Sequence, residues 1–158
     1  MSDKRIRIAI QTEPFDIQAE INFLSKDQRD VGAVVTFTGI CRQDNSLQAL
    51  ELEHYPGMAE NELHLIVEEA FSKWPLQGAV VVHRVGKLEV SEHIVLVATA
   101  SSHRHAAFDS ANFIMDYLKS KAPFWKKEHP QKGSAGNWVD AKESDQKILG
   151  RWRAKTAN

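Results

Sequence analysis

The chain has 158 residues, of which 42% are hydrophobic and 26% charged, and its formal net charge is −1. These values are typical of one globular domain with a substantial core, and no stretch is apolar enough for a membrane span. The polar N-terminal sequence lacks the apolar core of a signal peptide, and the single cysteine excludes an internal disulfide. We therefore expect a cytoplasmic protein.

Strands and helices alternate through the first half of the chain. Alternating isoleucines predict a strand over 5–10, and apolar residues on one broad face predict a short helix over 14–24. The β-branched, glycine-bounded run 32–39 predicts the strongest strand. Alternation resumes over 47–55, so these two strands are compatible with a hairpin. An amphipathic helix is predicted over 58–74.

Two more strands precede the most basic part of the chain. β-branched residues predict strands over 78–85 and 93–100, with 86–92 as a hairpin connection. Ser101 and Ser102 then offer an N-cap for a long helix.

This long helix is predicted to begin at His103 and to end near Pro123. Its apolar residues recur at helical spacing and predict a buried stripe formed by Phe108, Ala111, Met115 and Leu118. Lys119 falls at the edge of that stripe, where its stem can lie along apolar neighbours and its ammonium can reach a cleft.

A short strand is predicted directly after the helix. Its alternation places Lys126 on one face with Phe124 and Glu128, and Lys127 on the other face with Trp125. The mixture of helices and strands, with several short connections, predicts an α+β fold with a largely antiparallel sheet and packed helices.

Less regular sequence follows this strand. Turn residues predict a loop over 129–136, and 137–141 is compatible with a last short strand. We assign a single domain to 1–142 and a charged C-terminal tail to 143–158.

Charge concentrates in the segment 103–132, which carries +3 in a chain whose total is −1. A basic segment in a mildly acidic protein favours a local anion site over a general polyanion-binding surface. The alternative is a solvated basic helix end, because cations are favoured near a helix C-terminus. Motifs for metal, ATP or dinucleotide binding are absent from the sequence, so we predict no metal and no cofactor.

Several segments together resemble one known family. They are 32–39 with Arg42, 52–58, 82–86, 102–104, 113–119, 122–126 and 143–145. They occur in the order found in the catalytic (large) subunit of molybdopterin synthase and cover nearly the whole chain.

The resemblance implies a sulfurtransferase of molybdenum cofactor biosynthesis that needs neither a metal nor a nucleotide in this step. It implies a homodimer that binds one small ubiquitin-like sulfur-carrier subunit per protomer, giving a heterotetramer. The carrier's C-terminal Gly-Gly thiocarboxylate would donate sulfur to cyclic pyranopterin monophosphate. Two transfers would complete the dithiolene of molybdopterin.

The resemblance also implies the site residues. Lys119 and Lys126 are the implied catalytic residues. The implied substrate-binding residues are Ile40, Cys41, Arg42, His103, Arg104, Lys119, Lys126, Lys127 and Glu128. Some relatives carry a lysine where Ile40 stands, and an arginine where Lys142 stands, so Lys142 is a weaker candidate.

Each role within this set is a hypothesis. We expect Lys119 to act as base, acid or acyl acceptor, because apolar surroundings disfavour the charged form of an amine. Lys126 would hold the substrate anion or the carrier's terminus. Arg42 and Arg104 would clamp phosphate, and His103 would carry a proton near neutral pH.

The same residues have structural interpretations. Lys119 could be a surface lysine, His103 could only begin a helix, and Arg104 could pair with an acid. Cys41 is expected to be an incidental residue in a mobile loop, because nothing nearby in the sequence indicates an activated thiol. Sheet packing or a subunit interface is expected for His54, His83 and Arg84.

Two other functions remain possible from the sequence alone. A nucleic-acid or nucleotide-binding module could use the basic segment and Trp125, although the net charge and the missing aromatic-basic signature oppose it. A scaffold that had lost its chemistry could keep the carrier-binding surface, although the retained lysines and arginines oppose that.

Overall fold

Two four-stranded sheets and three helices form the part of the chain that the computed structural model describes, residues 3–43, 47–122, 124–130 and 138–139. In chain order the elements are β1 (Arg5–Gln11), α1 (Ile17–Ser25), β2 (Ala33–Ile40), β3 (Leu47–His54), α2 (Met58–Lys73), β4 (Leu76–Arg84), β5 (Gly86–Glu89), β6 (His93–Ser101), α3 (Arg104–Ser120), β7 (Phe124–Pro130) and β8 (Trp138–Val139). The first sheet has the order β1-β4-β6-β2, and the second has the order β5-β3-β7-β8.

The α+β expectation is confirmed. Among the described strand pairs only β1 and β4 run parallel, and the others are antiparallel. Both faces of the first sheet are covered because its strands alternate two sets of apolar residues. Val81 and Val97 pack toward α2 and α3, whereas Val80 and Leu96 pack toward α1.

The hairpin expected from 32–39 and 47–55 is wrong. β2 pairs with β6 in the first sheet, whereas β3 pairs with β5 and β7 in the second. The connection 86–92 contains a strand of its own, β5, which pairs with β3. Gly86 has a φ of +89°, which lets the chain turn out of the first sheet directly after β4. Local alternation identified strands here but not their distant partners.

The expected serine N-cap of α3 is also wrong. Ser101 belongs to β6, and its hydroxyl donates to the carbonyl of Pro75 at 2.8 Å. The Ser102 hydroxyl donates to the carbonyl of Asp30 at 2.8 Å. The N-cap is His103, whose side chain makes no capping hydrogen bond. Both serines are engaged by neighbouring loops, and the helix begins one residue later.

The buried face of α3 is rotated from the expected stripe. Its buried residues are Ala107, Ser110, Ala111, Phe113, Ile114, Tyr117 and Leu118. Ala111 and Leu118 agree with the expectation, but Phe108 is 56% exposed. At about 100° per residue, Phe108 lies about 120° and Lys119 about 140° from Ile114, so both point away from the core.

The chain ends were predicted less sharply than the centre. α1 begins at Ile17 rather than at residue 14, because the Asp16 carboxylate accepts a hydrogen bond from the amide of Ala19 at 3.1 Å. β7 extends through Pro130 into the expected loop, and β8 lies within the expected strand 137–141. Lys142, the tail 143–158 and most of the loop lie outside the described residues. None of the helices in the described ranges has the length and apolarity needed to cross a membrane.

Candidate active site

The sequence-predicted residues lie at the two ends of the first sheet. Ile40 ends β2, with Cys41 and Arg42 directly after it, and Ile40 pairs with His93 at the start of β6. At the other end Ala33 pairs with Ser101, two residues before His103. Seven strand steps separate these ends, which is about 23 Å. The segment around Arg42 and the segment around Arg104 are therefore far apart within one chain.

Helix α3 brings Lys119 back to the Arg42 end of the sheet. Near its start, the carbonyl of Ala107 accepts a hydrogen bond from the Thr99 hydroxyl at 2.7 Å. Just after its end, the Phe124 ring stacks on His83 with centroids 3.9 Å apart, and His83 pairs with Val95. Since α3 has 17 residues, it spans about 25 Å, nearly the length of the sheet.

The second sheet places the backbone of Lys126 at the Arg42 end of the first sheet. Lys126 pairs with Leu52 and Glu128 pairs with Leu50 across β7 and β3. Leu50 is buried in a small cluster with Cys41, against which Ile94 packs. The backbone from Lys126 to Glu128 is thus joined, through β3, to the segment that carries Arg42.

The described basic side chains at the Arg42 end of the sheet are exposed to solvent. Arg42 and Lys119 are both exposed, and Ile40 is 52% exposed. At the opposite end of the sheet, His103 and Arg104 are exposed as well. Within one chain, Arg42, Lys119 and the backbone of β7 therefore lie at one end of the first sheet, and His103 and Arg104 lie at the other.

Cys41 does not lie in a mobile loop, contrary to the expectation. It is 1% exposed, and its thiol lies 3.9 Å from the carbonyl of Leu88. Its amide donates to the carbonyl of Glu92 at 2.8 Å, and its carbonyl accepts from the amide of Ser91 at 2.6 Å. Burial and these contacts identify Cys41 as a fixed structural residue that precedes Arg42.

We expect this burial to protect the thiol from alkylation. In the native protein, Cys41 should react with a maleimide at least about 100-fold more slowly than in denaturant, because reaction requires local opening. Mass spectrometry of timed samples measures both rates. Similar rates in the native and unfolded protein would contradict the buried position.

Of the two roles expected for His54, His83 and Arg84, sheet packing or a subunit interface, the contacts within the chain support sheet packing. Phe124 stacks on His83, and its centroid lies 6.3 Å from that of His54. Arg84 is 6% exposed, and its guanidinium donates to the carbonyls of Thr12 and His93. Phe124, two residues before Lys126, thereby links the two sheets. The alternation of apolar and polar residues along the sequence could not predict this contact.

The turn from β3 into α2 adds a carboxylate near this link. Glu60 lies 3.5 Å from His54, and its carboxylate accepts a hydrogen bond from the amide of Gly57 at 2.6 Å. The hydrogen bond from its own backbone amide, with smaller contributions from the Gly57 amide and His54, lowers the pKa of Glu60 although burial acts in the opposite direction. The carboxylate therefore stays ionised and holds the start of α2.

Within the described residues, no group of three or more histidine, cysteine, aspartate or glutamate side chains could hold a metal ion. The described basic side chains at the Arg42 end of the first sheet include Arg42 and Lys119, which are both exposed. Such an arrangement suits the binding of phosphate or another anion.

Comparisons with known proteins agree on one family. The MoaE protein family matches residues 10–121. A molybdopterin synthase catalytic subunit of Mesorhizobium japonicum is 57% identical over 150 residues, covering 94% of each chain. One of Brucella melitensis is 52% identical over 148 residues, covering 93% of this chain and 91% of the relative.

Solved structures lead to the same family. A molybdopterin biosynthesis MoaE protein from Burkholderia ambifaria has a TM-score of 0.80 and 46% identity, covering 94% of this chain and 98% of that one. A molybdopterin synthase from Staphylococcus aureus has a TM-score of 0.74 and 35% identity, covering 82% of this chain and 94% of that one. This chain therefore belongs to the MoaE family of molybdopterin synthase catalytic subunits.

Proposed function

We propose that the chain transfers sulfur from the C-terminal thiocarboxylate of a small carrier protein to cyclic pyranopterin monophosphate. Two transfers give the dithiolene of molybdopterin, and the cyclic phosphate opens to a terminal monophosphate. In each transfer a pterin carbon exchanges a C–O bond for a C–S bond; one of the two oxygens stays on the opened phosphate, the other leaves as water, and hydrolysis releases the carrier as a carboxylate. The family supports the reaction, and the position of the basic residues supports the site.

One observation carries this proposal: three distant segments meet at one end of the first sheet. Arg42 follows β2, Lys119 lies in the last turn of α3, and Lys126 lies on β7. The substrate phosphate and the thiocarboxylate are both anions, and negative charge develops on oxygen and sulfur as bonds change. Fixed cations stabilise all of these charges, most strongly where water is excluded.

Lys119 is exposed in the single chain. A site that excludes water around it would therefore form only when the carrier and a second protomer bind. We assign Lys119 to proton transfer or acyl capture at the carrier's terminus, and Lys126 to holding the anion beside it. Lys127 and Glu128 continue the same strand and belong to the proposed binding segment, as do Ile40 and Cys41 before Arg42. When the carrier's terminal segment covers this end, displaced water strengthens each charge interaction.

A homodimer would bring the two ends of the sheet together. β2 is an edge strand of the first sheet, so one long side of it has no partner strand among the described residues. Phe37 on β2 is 43% exposed and Phe108 on α3 is 56% exposed. A two-fold axis beside this edge would place His103 and Arg104 of one copy beside Arg42 of the other. The proposed site is therefore shared between protomers, with the phosphate clamped from both.

The remaining assignments follow from this function. We propose a heterotetramer of two catalytic chains and two carriers, and a cytoplasmic location consistent with a single buried thiol. The catalytic domain is assigned to 1–142. Because the reaction exchanges sulfur for oxygen without a redox change, it requires no resident metal or cofactor.

The direct test mixes the purified protein with a thiocarboxylated carrier and cyclic pyranopterin monophosphate. We expect mass spectrometry to detect a product that has gained two sulfurs, together with carrier converted to its carboxylate form. The matched control uses carrier with an ordinary C-terminal carboxylate and should give no product. Failure to add sulfur, with tight salt-sensitive binding to single-stranded RNA instead, would favour the nucleic-acid-binding alternative.

A further inference from the structure

We propose that Arg84 and Glu92 position Arg42, and that Glu92 thereby sets the affinity for the anionic substrate. This inference rests on the proposed function, because it gives Arg42 a substrate to bind. Neither Arg84 nor Glu92 belongs to the proposed binding set. They act through the turn between β5 and β6, residues 89–92, named here the β5–β6 turn.

The β5–β6 turn contacts Cys41, the residue before Arg42. The amide of Cys41 donates to the carbonyl of Glu92 at 2.8 Å, and the amide of Ser91 donates to the carbonyl of Cys41 at 2.6 Å. Both backbone groups of Cys41 are therefore fixed by one turn. Arg42 is attached directly to this fixed peptide, so the turn determines where its side chain starts.

Contacts of the Glu92 carboxylate hold the turn itself. One carboxylate oxygen of Glu92 accepts from the amide of Glu89 at 2.6 Å, which closes the turn on itself. The other oxygen lies 3.6 Å from a guanidinium nitrogen of Arg84. Ser91, between them, has a φ of +77°, a conformation that is costly for a residue with a side chain. The Glu92 carboxylate therefore holds a turn that would otherwise relax.

Arg84 is anchored by backbone carbonyls in and beside the first sheet. Its side chain is 7% exposed and donates to the carbonyl of Thr12 at 2.9 Å and to that of His93 at 3.1 Å. These carbonyls belong to the segment after β1 and to the start of β6. The buried guanidinium is thus fixed to the frame of the first sheet, and Glu92 transmits that position to the turn.

The arrangement has the chemistry of a positioning pair rather than of a reacting group. The guanidinium of Arg84 is buried and fully turned toward the protein, so it cannot reach a substrate anion. The half-exposed Glu92 carboxylate would repel one. Their effect on the reaction must pass through Cys41 and Arg42.

The test compares Glu92→Ala with Glu89→Gln in the complete enzyme with its carrier. Glu89 lies on the same turn, and its carboxylate has no hydrogen bond or ion pair with the described residues, so its substitution is a matched control. We expect Glu92→Ala to raise KM for the cyclic pterin about tenfold and to change kcat less than about twofold, since it misplaces a binding group. Glu89→Gln should leave both constants unchanged.

A double-mutant comparison separates positioning from general loosening of the fold. In an Arg42→Ala background, Glu92→Ala should cause no further increase in KM, because the group through which it acts is gone. An additional tenfold increase in that background would overturn the proposal. Glu92→Gln keeps an acceptor for the Glu89 amide but loses the charge facing Arg84, and it should give an intermediate KM.

Hydrogen exchange tests the structural half of the proposal without any turnover. The Cys41 amide should exchange at least about tenfold faster in Glu92→Ala than in the wild type. Its exchange rate should be unchanged in Glu89→Gln. Absence of turnover in the wild-type enzyme would refute the proposed function. Wild-type turnover with an unaltered KM in Glu92→Ala, or unaltered exchange at Cys41, would refute the positioning role alone.

Discussion

Lys119→Ala should reduce sulfur transfer at least about 100-fold while the carrier still binds, because the variant loses a proton-transfer or acyl-accepting group. Lys119 is exposed in the last turn of α3, at the end of the sheet where Arg42 and β7 also lie. It forms no ion pair with the described residues, so its removal should not disturb the fold. Mass spectrometry of the pterin product measures the rate, and calorimetry with the carrier measures binding.

Lys121→Ala provides the matched control for this substitution. It removes the same charge two residues away, where the Lys121 ammonium lies 4.9 Å from the centroid of the Tyr117 ring. We expect near-normal turnover from it. Lys119→Arg separates the possible roles, because arginine keeps the charge but cannot act as a base or acyl acceptor. Full turnover by Lys119→Ala would refute the catalytic assignment.

Two variants that are each inactive should recover activity when they share a dimer. In the proposed shared site, Lys119 and Arg104 come from different copies. A mixed dimer of Lys119→Ala with Arg104→Ala therefore contains one site that lacks both groups and one intact site. With random pairing we expect about a quarter of the wild-type activity, since half of the dimers are mixed and half of their sites are intact. Co-expression with two affinity tags isolates the mixed species, which should show about half of the wild-type activity because one of its two sites is intact.

The control for this experiment pairs Lys119→Ala with Lys126→Ala. Both residues lie at the same end of one chain, so each site of that mixed dimer would still lack one lysine. We expect no recovery from it. Recovery in the control, or none from Lys119→Ala with Arg104→Ala, would contradict a site shared in this way.

The sequence predicted most strands and helices, because their apolar periodicity is local. It did not predict the partners of those strands: β2 and β3 are neighbours in the chain but lie in different sheets. It also placed Phe108 in the core, since helical spacing fits two overlapping faces and only the sheet beneath α3 selects between them. The error matters for function, because the same rotation turns Lys119 outward.

Resemblance to a family, rather than residue spacing, predicts the candidate site. Arg42, Arg104 and Lys119 are far apart in the sequence, and no short motif connects them. Their separation into two groups at opposite ends of a sheet follows only from the antiparallel register of β2 and β6. Similarly, the contacts of Glu92 with Cys41 and Arg84 depend on a turn that local patterning had described as a plain hairpin connection.

The position of Cys41 has a consequence for the fate of the donated sulfur. A thiocarboxylate is a sulfur nucleophile, and an accessible thiol beside it could be joined to it as an acyl disulfide whenever an oxidant was present. The chain's sole thiol is next to Arg42 in sequence, yet it faces the interior with 1% of its surface exposed. Burial of Cys41 therefore disfavours such a side reaction between the enzyme and a bound thiocarboxylated carrier.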